Sequence, residues 1–370
     1  LIDDEIKRPD GTKYTVNDDI SEVFNSDYMK SLRKSFLADE KPDICKACWR
    51  LESSNIKSKR QIALDKYKNV IGAMDTTRAD TFKLLDLKLG NICNLKCRMC
   101  GSWGSTAWFK EEEKLIAIDR DFQRSRGPRR PTIIPASYWE DKKDMFQYLE
   151  RIDFKGGEPM MQDGMYDFLE YLVEWGYAPK ITIAYTTNGT KTPERLKDLW
   201  PKFKRVKLII SVEGTGKLYE YIRGGDVQSL ENLKENIHWF DQFENLRGSF
   251  NSAIQIYNIF DLNNLLEWFR DTVDASKKWH RDPDTFKFDC LVSSPPYLNI
   301  NIMPDKLKQK AIEIIDEKNY KSLQIIRTAL TRSSYNDKQW DLFVRFTNEL
   351  DKMRGGIQCL DVVPQLKGYM

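Results

Sequence analysis

The stretch FKLLDLKLGNICNLKCRMC, residues 82–100, decides the fold. Its first half is a short apolar run closed by Gly90, the length and punctuation of a buried strand. Its second half places Cys93, Cys97 and Cys100 directly after that strand's C-terminal end, spaced by three residues and then by two.

Apolar runs of the same kind recur outward from this stretch. They are LERIDFKGG (149–157), KITIAYTTNG (180–189), RVKLIISVEG (205–214), FNSAIQIYN (250–258) and YLNINIMP (297–304). Between most of them lie amphipathic helical patterns: MYDFLEYLVEWG, PERLKDLW, SLENLKENIHWFDQF and NNLLEWFRDTV. Strand–helix alternation implies a parallel sheet covered by helices. The expected fold class is α/β: a partial (β/α)6 TIM-type barrel over residues 81–305, with chemistry gathered at the C-terminal strand ends. Residues 1–80 are polar, carry short helical patterns and the pair Cys45 and Cys48, and are expected to form a mixed cluster-binding module. Residues 306–370 read as a helical C-terminal extension.

At 370 residues the chain has room for a large domain with an appendage, or for two ordinary domains. With 41% hydrophobic and 31% charged residues it is globular, not disordered or fibrous. A net charge of +3 is too small to argue for nucleic acid or a membrane surface. No apolar run approaches the roughly 20 residues of a membrane span. The start, LIDDEIKRPDG, is no signal peptide, and without a Met the natural chain is expected to begin upstream. Of seven cysteines, five sit in two tight clusters, which suits metal binding or catalysis in a reducing cytoplasm better than a disulfide framework.

Three thiolates on one short loop can ligate three irons of a [4Fe–4S] cubane and leave the fourth open to a ligand. Zinc is the competing occupant, but a structural zinc site wants four ligands, and the two histidines, His238 and His280, lie far along the chain. The turn KGGEPMM closes the second strand. Gly156 and Gly157 admit a ligand close to the backbone, and Glu158, before Pro159, can accept hydrogen bonds from an ammonium group. TTNGT (186–190), with Asn188, ends the third strand, and SVEG (211–214), with Ser211 and Glu213, ends the fourth. The run RDFQRSRGPRR, Arg120 to Arg130, carries five arginines; it reads as a solvated mobile loop, a lid, or a phosphate contact.

A cysteine trio so spaced after the first strand, followed one strand later by Gly-Gly-Glu-Pro, resembles the radical S-adenosylmethionine (SAM) superfamily. The resemblance implies a SAM whose amino and carboxyl groups chelate the open iron. It implies reductive cleavage to a 5′-deoxyadenosyl radical that takes hydrogen from substrate. Cys93, Cys97 and Cys100 would then hold the catalytic cluster. Met99 stands where the family usually has an aromatic residue against the adenine, and its thioether can pack there. Gly156, Gly157, Glu158 and Pro159 match the amino-group motif; Ser211 and Arg223 match contacts to ribose or carboxylate; Asn188 and Glu213 are candidates for the same groups. Gln255 or Asn258 would line the barrel, and Met303 with Pro304 would cover the adenine.

CKACWRLE (45–52) resembles an N-terminal twitch-type module, and the ending MRGGIQCLDVVPQL resembles that subfamily's tail. Cys45 and Cys48 are half a metal site. They either hold an auxiliary iron–sulfur cluster, completed by Cys290 and Cys359 or by upstream cysteines, or remain a reduced thiol pair. Cys290 and Cys359 also read as core residues. The resemblance further implies an electron donor of flavodoxin or ferredoxin type and a peptide, protein or small-molecule substrate. Two readings stand beside it: the same chemistry on a nucleotide, nucleotide sugar or nucleic acid drawn in by the arginine run, and a non-catalytic cluster-bearing regulatory protein.

Overall fold

The computed structural model describes residues 6–14, 18–53, 57–71, 79, 81–124, 131, 133–225, 229–273, 278–286, 288 and 291–370. They fall into two compact units, Leu1–Phe82 with Asp141–Tyr148, and Lys83–Glu140 with Leu149–Met370. No helix among the described residues is long and apolar enough to cross a membrane.

The first unit carries α1 (Ile20–Phe24), α2 (Asp27–Leu37), α3 (Lys46–Ser53) and α4 (Lys59–Ile71). Asp19 and Ser26 cap the first two, each side chain accepting from backbone N–H groups that the helix leaves without partners. Phe24 meets Phe82 edge to face at 5.0 Å.

The second unit is built on five parallel strands in sequence order: β1 (Leu84–Lys88), β2 (Arg151–Lys155), β3 (Thr182–Thr187), β4 (Arg205–Ser211) and β5 (Leu246–Asn251). The crossovers hold α5 (Phe109–Ile118), α6 (Asp163–Glu174), α7 (Arg195–Leu199), α8 (Gly216–Arg223) and α9 (Leu230–Phe240), and α10 (Leu262–Thr272) follows β5. RIDFK and RVKLIIS alternate in polarity, and the sheet is correspondingly two-faced. Ile152, Phe154, Ile183, Tyr185, Val206, Leu208 and Ile210 are fully buried, whereas Asp153, Lys155, Lys207 and Ser211 are only half-buried. Strands covered on both faces read as continuous apolar runs; the alternation here leaves one face polar and partly open. On it Lys155 pairs with Asp86, and Arg151 with Asp153 at 2.8 Å.

The expected six strands become five among the described residues. YLNINIMP is not a strand but two 3-10 turns, Pro296–Leu298 and Ile300–Ile302. Pro295, Pro296 and Pro304 cannot donate to a ladder, and the Asn299 side chain takes the Asn301 N–H at 2.8 Å. The flank of β5 is touched instead by isolated parallel bridges, Gly248 with Trp279 and Ile254 with Leu291. The fifth strand also ends earlier than its pattern suggests. Residues 253–258 form a turn in which Gln255 N donates to Asn258 Oδ1 at 2.8 Å, so both side chains are fully buried and the strand alternation expected of them does not apply.

Helices α11 (Asp305–Lys318), α12 (Gln324–Arg332), α13 (Asp337–Arg354) and α14 (Cys359–Val362) match the expected helical ending, and they belong to the same compact unit as the sheet. A buried ion pair joins α13 to the cysteine loop: Asp351 and Arg98 are 6% and 1% exposed, and Asp351 also accepts from Tyr221 Oη at 3.0 Å and Cys359 N at 2.7 Å. Removing one partner of such a pair leaves a buried charge without compensation. Asp351→Ala is expected to lower stability by about 3–5 kcal/mol in urea unfolding. Asp316→Ala, which breaks the half-exposed pair with Arg327, is expected to cost at most about 1 kcal/mol. Equal losses would contradict this account.

Candidate functional site

At the C-terminal edge of the sheet a cavity of about 340 Å³ is lined by Cys93, Cys97, Met99 and Cys100, and by Gly156, Gly157, Asn188, Ser211, Glu213 and Arg223. Trp103, Gly104, Lys155, Asn251 and Ala253 complete most of its wall. The cysteine loop and the ends of β2, β3 and β4, far apart in sequence, thus face one space.

The cysteine loop is held by backbone contacts on two sides. Helix α8 ends at Gly224, with φ +53, and its final carbonyls would lack partners in isolation. Arg98 N donates to Ile222 O at 2.7 Å and Lys96 N to Gly224 O at 3.3 Å. Gly225 must be glycine at φ +76, because a Cβ there would lie 2.6 Å from Asn94 O. On the other side, Glu158 N donates to Ile92 O at 2.8 Å, one residue before Cys93. Gly157, at φ +52, lies so close that a Cβ would stand 2.4 Å from the same carbonyl.

Glu158 is fully buried and does not line the cavity. Its carboxylate accepts from Thr187 Oγ1 at 2.7 Å, Asn188 N at 2.7 Å and Met160 N at 3.1 Å. Burial pushes its pKa up, and the three donors pull it back. In this arrangement it positions the end of β3, while Gly156 and Gly157 present their backbone to the cavity. Pro159 is buried at the start of a 3-10 turn and also lies off the cavity wall.

Asn188 stands over the first cysteine. Its Nδ2 donates to Asn94 Oδ1 at 3.0 Å and reaches Cys93 Sγ at 3.8 Å; its Oδ1 accepts from Thr190. Arg223, buried at the end of α8, pairs with Glu213 at 2.6 Å, donates to the Ser211 carbonyl and points Nη1 at Cys97 Sγ, 3.4 Å away. Burial pushes the Cys93 and Cys100 thiols up to about 12. Burial also raises Cys97, against the pull of Arg223.

Three residues at the site make contacts that the sequence did not reveal. Trp108, fully buried, donates Nε1 to Cys97 O at 3.1 Å. Gly104 packs where a Cβ would lie 2.9 Å from Cys100 Sγ. Arg124 belongs to the basic run, yet it turns inward and donates to the carbonyls of Arg98 and Cys100. Nothing in local pattern marks these contacts, since each joins the loop to a residue brought near only by the fold. Residues 125–130 of the run, and Cys290, lie outside the described residues. Gln255, Asn258, Met303 and Pro304 do not line the cavity. Cys359 is buried, and burial raises its thiol to about 12. Cys45 and Cys48 lie in the first unit, half-buried, at the end of a 3-10 turn and in α3. No three His, Cys, Asp or Glu side chains among the described residues converge on one metal ion.

Residues 87–244 match the protein family described as the Radical SAM superfamily. Among solved structures the chain is similar to native anSMEcpe with bound AdoMet, at 16% identity over 68% of this chain and 64% of that one, TM-score 0.42. It is similar to SuiB of Streptococcus suis bound to S-adenosylmethionine, at 17% identity over 68% and 52%, TM-score 0.37. It is also similar to TsrM of Kitasatospora setae, a radical S-adenosylmethionine methyltransferase with cobalamin and a [4Fe–4S] cluster bound, at 9% identity over 50% and 34%, TM-score 0.35. The chain spans less than two-thirds of the length of the first of these, 64%. No curated protein matches it. The matched segment is the one that carries the cysteine loop, the glycine turn and Arg223.

Thiols raised this far stand protonated at neutral pH. In protein free of iron, Cys93 and Cys100 are expected to react with iodoacetamide at pH 8 about a thousandfold more slowly than a free cysteine. The rate should climb about tenfold per pH unit, because only the thiolate attacks. Site-resolved mass spectrometry giving rates within tenfold of free cysteine would refute this. Glu158→Gln would turn an NH2 group toward N–H or O–H donors. It is expected to cost about 1–3 kcal/mol in thermal or urea unfolding, and an unchanged midpoint would remove Glu158 from its positioning role.

Proposed function

We propose that this chain, with its radical SAM domain over residues 87–244, holds a [4Fe–4S] cluster on Cys93, Cys97 and Cys100 and binds SAM in the cavity they line. The observation that carries the reading is the shared cavity: three thiols of one loop face the same space as the Gly156–Gly157 turn, Asn188, Ser211 and Arg223. Three thiolates on one loop are the donor set that a cubane with one open iron needs. When bound, the cluster and SAM supply a one-electron cleavage of the sulfonium that yields a 5′-deoxyadenosyl radical able to abstract hydrogen.

The chain's own groups do the binding and orienting. Gly156 and Gly157 bring backbone to the methionine amino group, and Glu158 holds the adjoining strand end. Ser211 and Arg223 approach ribose or carboxylate, with Glu213 keeping Arg223 in place. Asn188 orders the wall above Cys93, and Met99 packs against the base. The polar, partly open face of the sheet, with Asp86, Asp153, Lys155 and Lys207, favours a polar substrate such as a peptide segment or a polar small molecule. Arg124 of the basic run is turned onto the cysteine loop, which weakens the nucleic-acid alternative for that residue. Cys45 and Cys48 are proposed as ligands of an auxiliary cluster in a twitch-like module. An electron-donor protein of flavodoxin or ferredoxin type and a reducing, cytoplasmic setting complete the proposal.

The test uses protein reconstituted anaerobically with iron and sulfide, reduced with dithionite, and given SAM. 5′-Deoxyadenosine is expected from the native chain and absent from Cys97→Ala. About eight irons per chain, falling to about four in Cys45→Ala/Cys48→Ala, is expected if both sites load. A full cluster without 5′-deoxyadenosine would overturn the enzymatic reading; metal without sulfide would overturn the cluster itself.

A further inference from the structure

Arg124 belongs to a run of arginines that suggests a solvent-exposed loop, yet its head group lies against the cysteine loop. Its backbone position is set by the buried carboxylate of Glu112, which accepts Arg124 N at 3.0 Å and Ser102 N at 2.7 Å. From there Nη1 donates to the carbonyls of Arg98 and Cys100, so one nitrogen gathers both ends of the last turn of the loop. Nε donates to Tyr297 Oη at 2.8 Å. The guanidinium lies 4.2 Å from the Phe346 ring centre on α13, 4.9 Å from Trp108 and 5.5 Å from Tyr297. Its Nη2 is buried without a hydrogen-bond partner among the described residues.

A cation clasped by three rings and two carbonyls is held as a point of fixed charge. It lies beside the last cysteine of the loop, holding the Cys100 carbonyl. Two of the three rings, Tyr297 and Phe346, lie outside residues 87–244, so this clasp is built by parts of the chain that the superfamily domain does not include.

We infer that Arg124 is a positioning residue for the cluster: it fixes the Arg98–Cys100 turn against Tyr297 and Phe346 and supplies a positive charge that favours the reduced cluster. This rests on the cluster assignment above. Reduction adds negative charge near Cys100. A nearby fixed cation stabilises that charge, so removing it makes reduction harder.

The experiment is an EPR-monitored redox titration of reconstituted protein, with the rate of iron loss to a chelator measured in parallel. Arg124→Gln is expected to shift the midpoint potential in the negative direction. Arg124→Lys, which keeps the charge, should stay near the native value. Tyr297→Phe removes the Nε acceptor and is expected to hasten iron loss severalfold, with a potential close to native. It keeps the positioning claim open to refutation even if Arg124→Gln loads no cluster. An unchanged potential in Arg124→Gln, equal shifts in the Gln and Lys variants, or an unchanged chelation rate in Tyr297→Phe would each overturn the inference. A native protein that takes up no iron and sulfide overturns the cluster assignment first, and the inference with it.

Discussion

The site depends on one buried carboxylate. Glu158 sits where β2 ends, and its two oxygens take the backbone N–H of Asn188, the hydroxyl of Thr187 and the N–H of Met160. Its own N–H binds the carbonyl of Ile92. A single residue, through its carboxylate and its backbone N–H, therefore joins the ends of β1, β2 and β3, and through Ile92 it sets where the cysteine loop begins. A buried carboxylate is costly unless its lone pairs are taken. Here the cost is offset by hydrogen bonds that also fix geometry, which is why the glycine turn beside it can press so tightly on the loop.

The loop is closed from the opposite side by the end of α8. Helix carbonyls that would otherwise face solvent receive the N–H groups of Lys96 and Arg98, and the same helix end delivers Arg223 to Cys97. Glu213, at the end of β4, pairs with Arg223 and keeps a buried guanidinium compensated. Burial drives the thiols toward their protonated form, while the arginines around the loop favour their charged form. The site thus has thiols that stay quiet alone and an environment suited to a bound anionic cage.

The C-terminal helices take part in this environment. Arg98 points away from the cavity, stacks 3.5 Å from the ring centre of Tyr221 and pairs with Asp351 on α13. Arg354, at the end of α13, donates to Lys96 O at 2.7 Å and to Glu111. Trp108 lies between Arg354 and Arg124, 4.9 Å from each. These contacts make α13 part of the support of the cysteine loop, although it lies far along the chain from the cysteines.

The sequence by itself determined the α/β class, the first four strands to within a few residues, most helices, and the cysteine loop with its glycine turn. These are local properties: apolar alternation, turn residues and ligand spacing are readable one segment at a time. It could not show that YLNINIMP turns rather than extends, because apolar content outvoted the proline positions that deny a ladder its donors. Nor could it separate Gly157, whose backbone meets the cavity, from Glu158, whose side chain holds a neighbouring strand, since that difference is set by the turn's tertiary surroundings. The inward turn of Arg124 and the Arg98–Asp351 pair were decided only by tertiary structure. A charge run reads as solvated until the fold places carbonyls, aromatic rings and a buried carboxylate around one of its members.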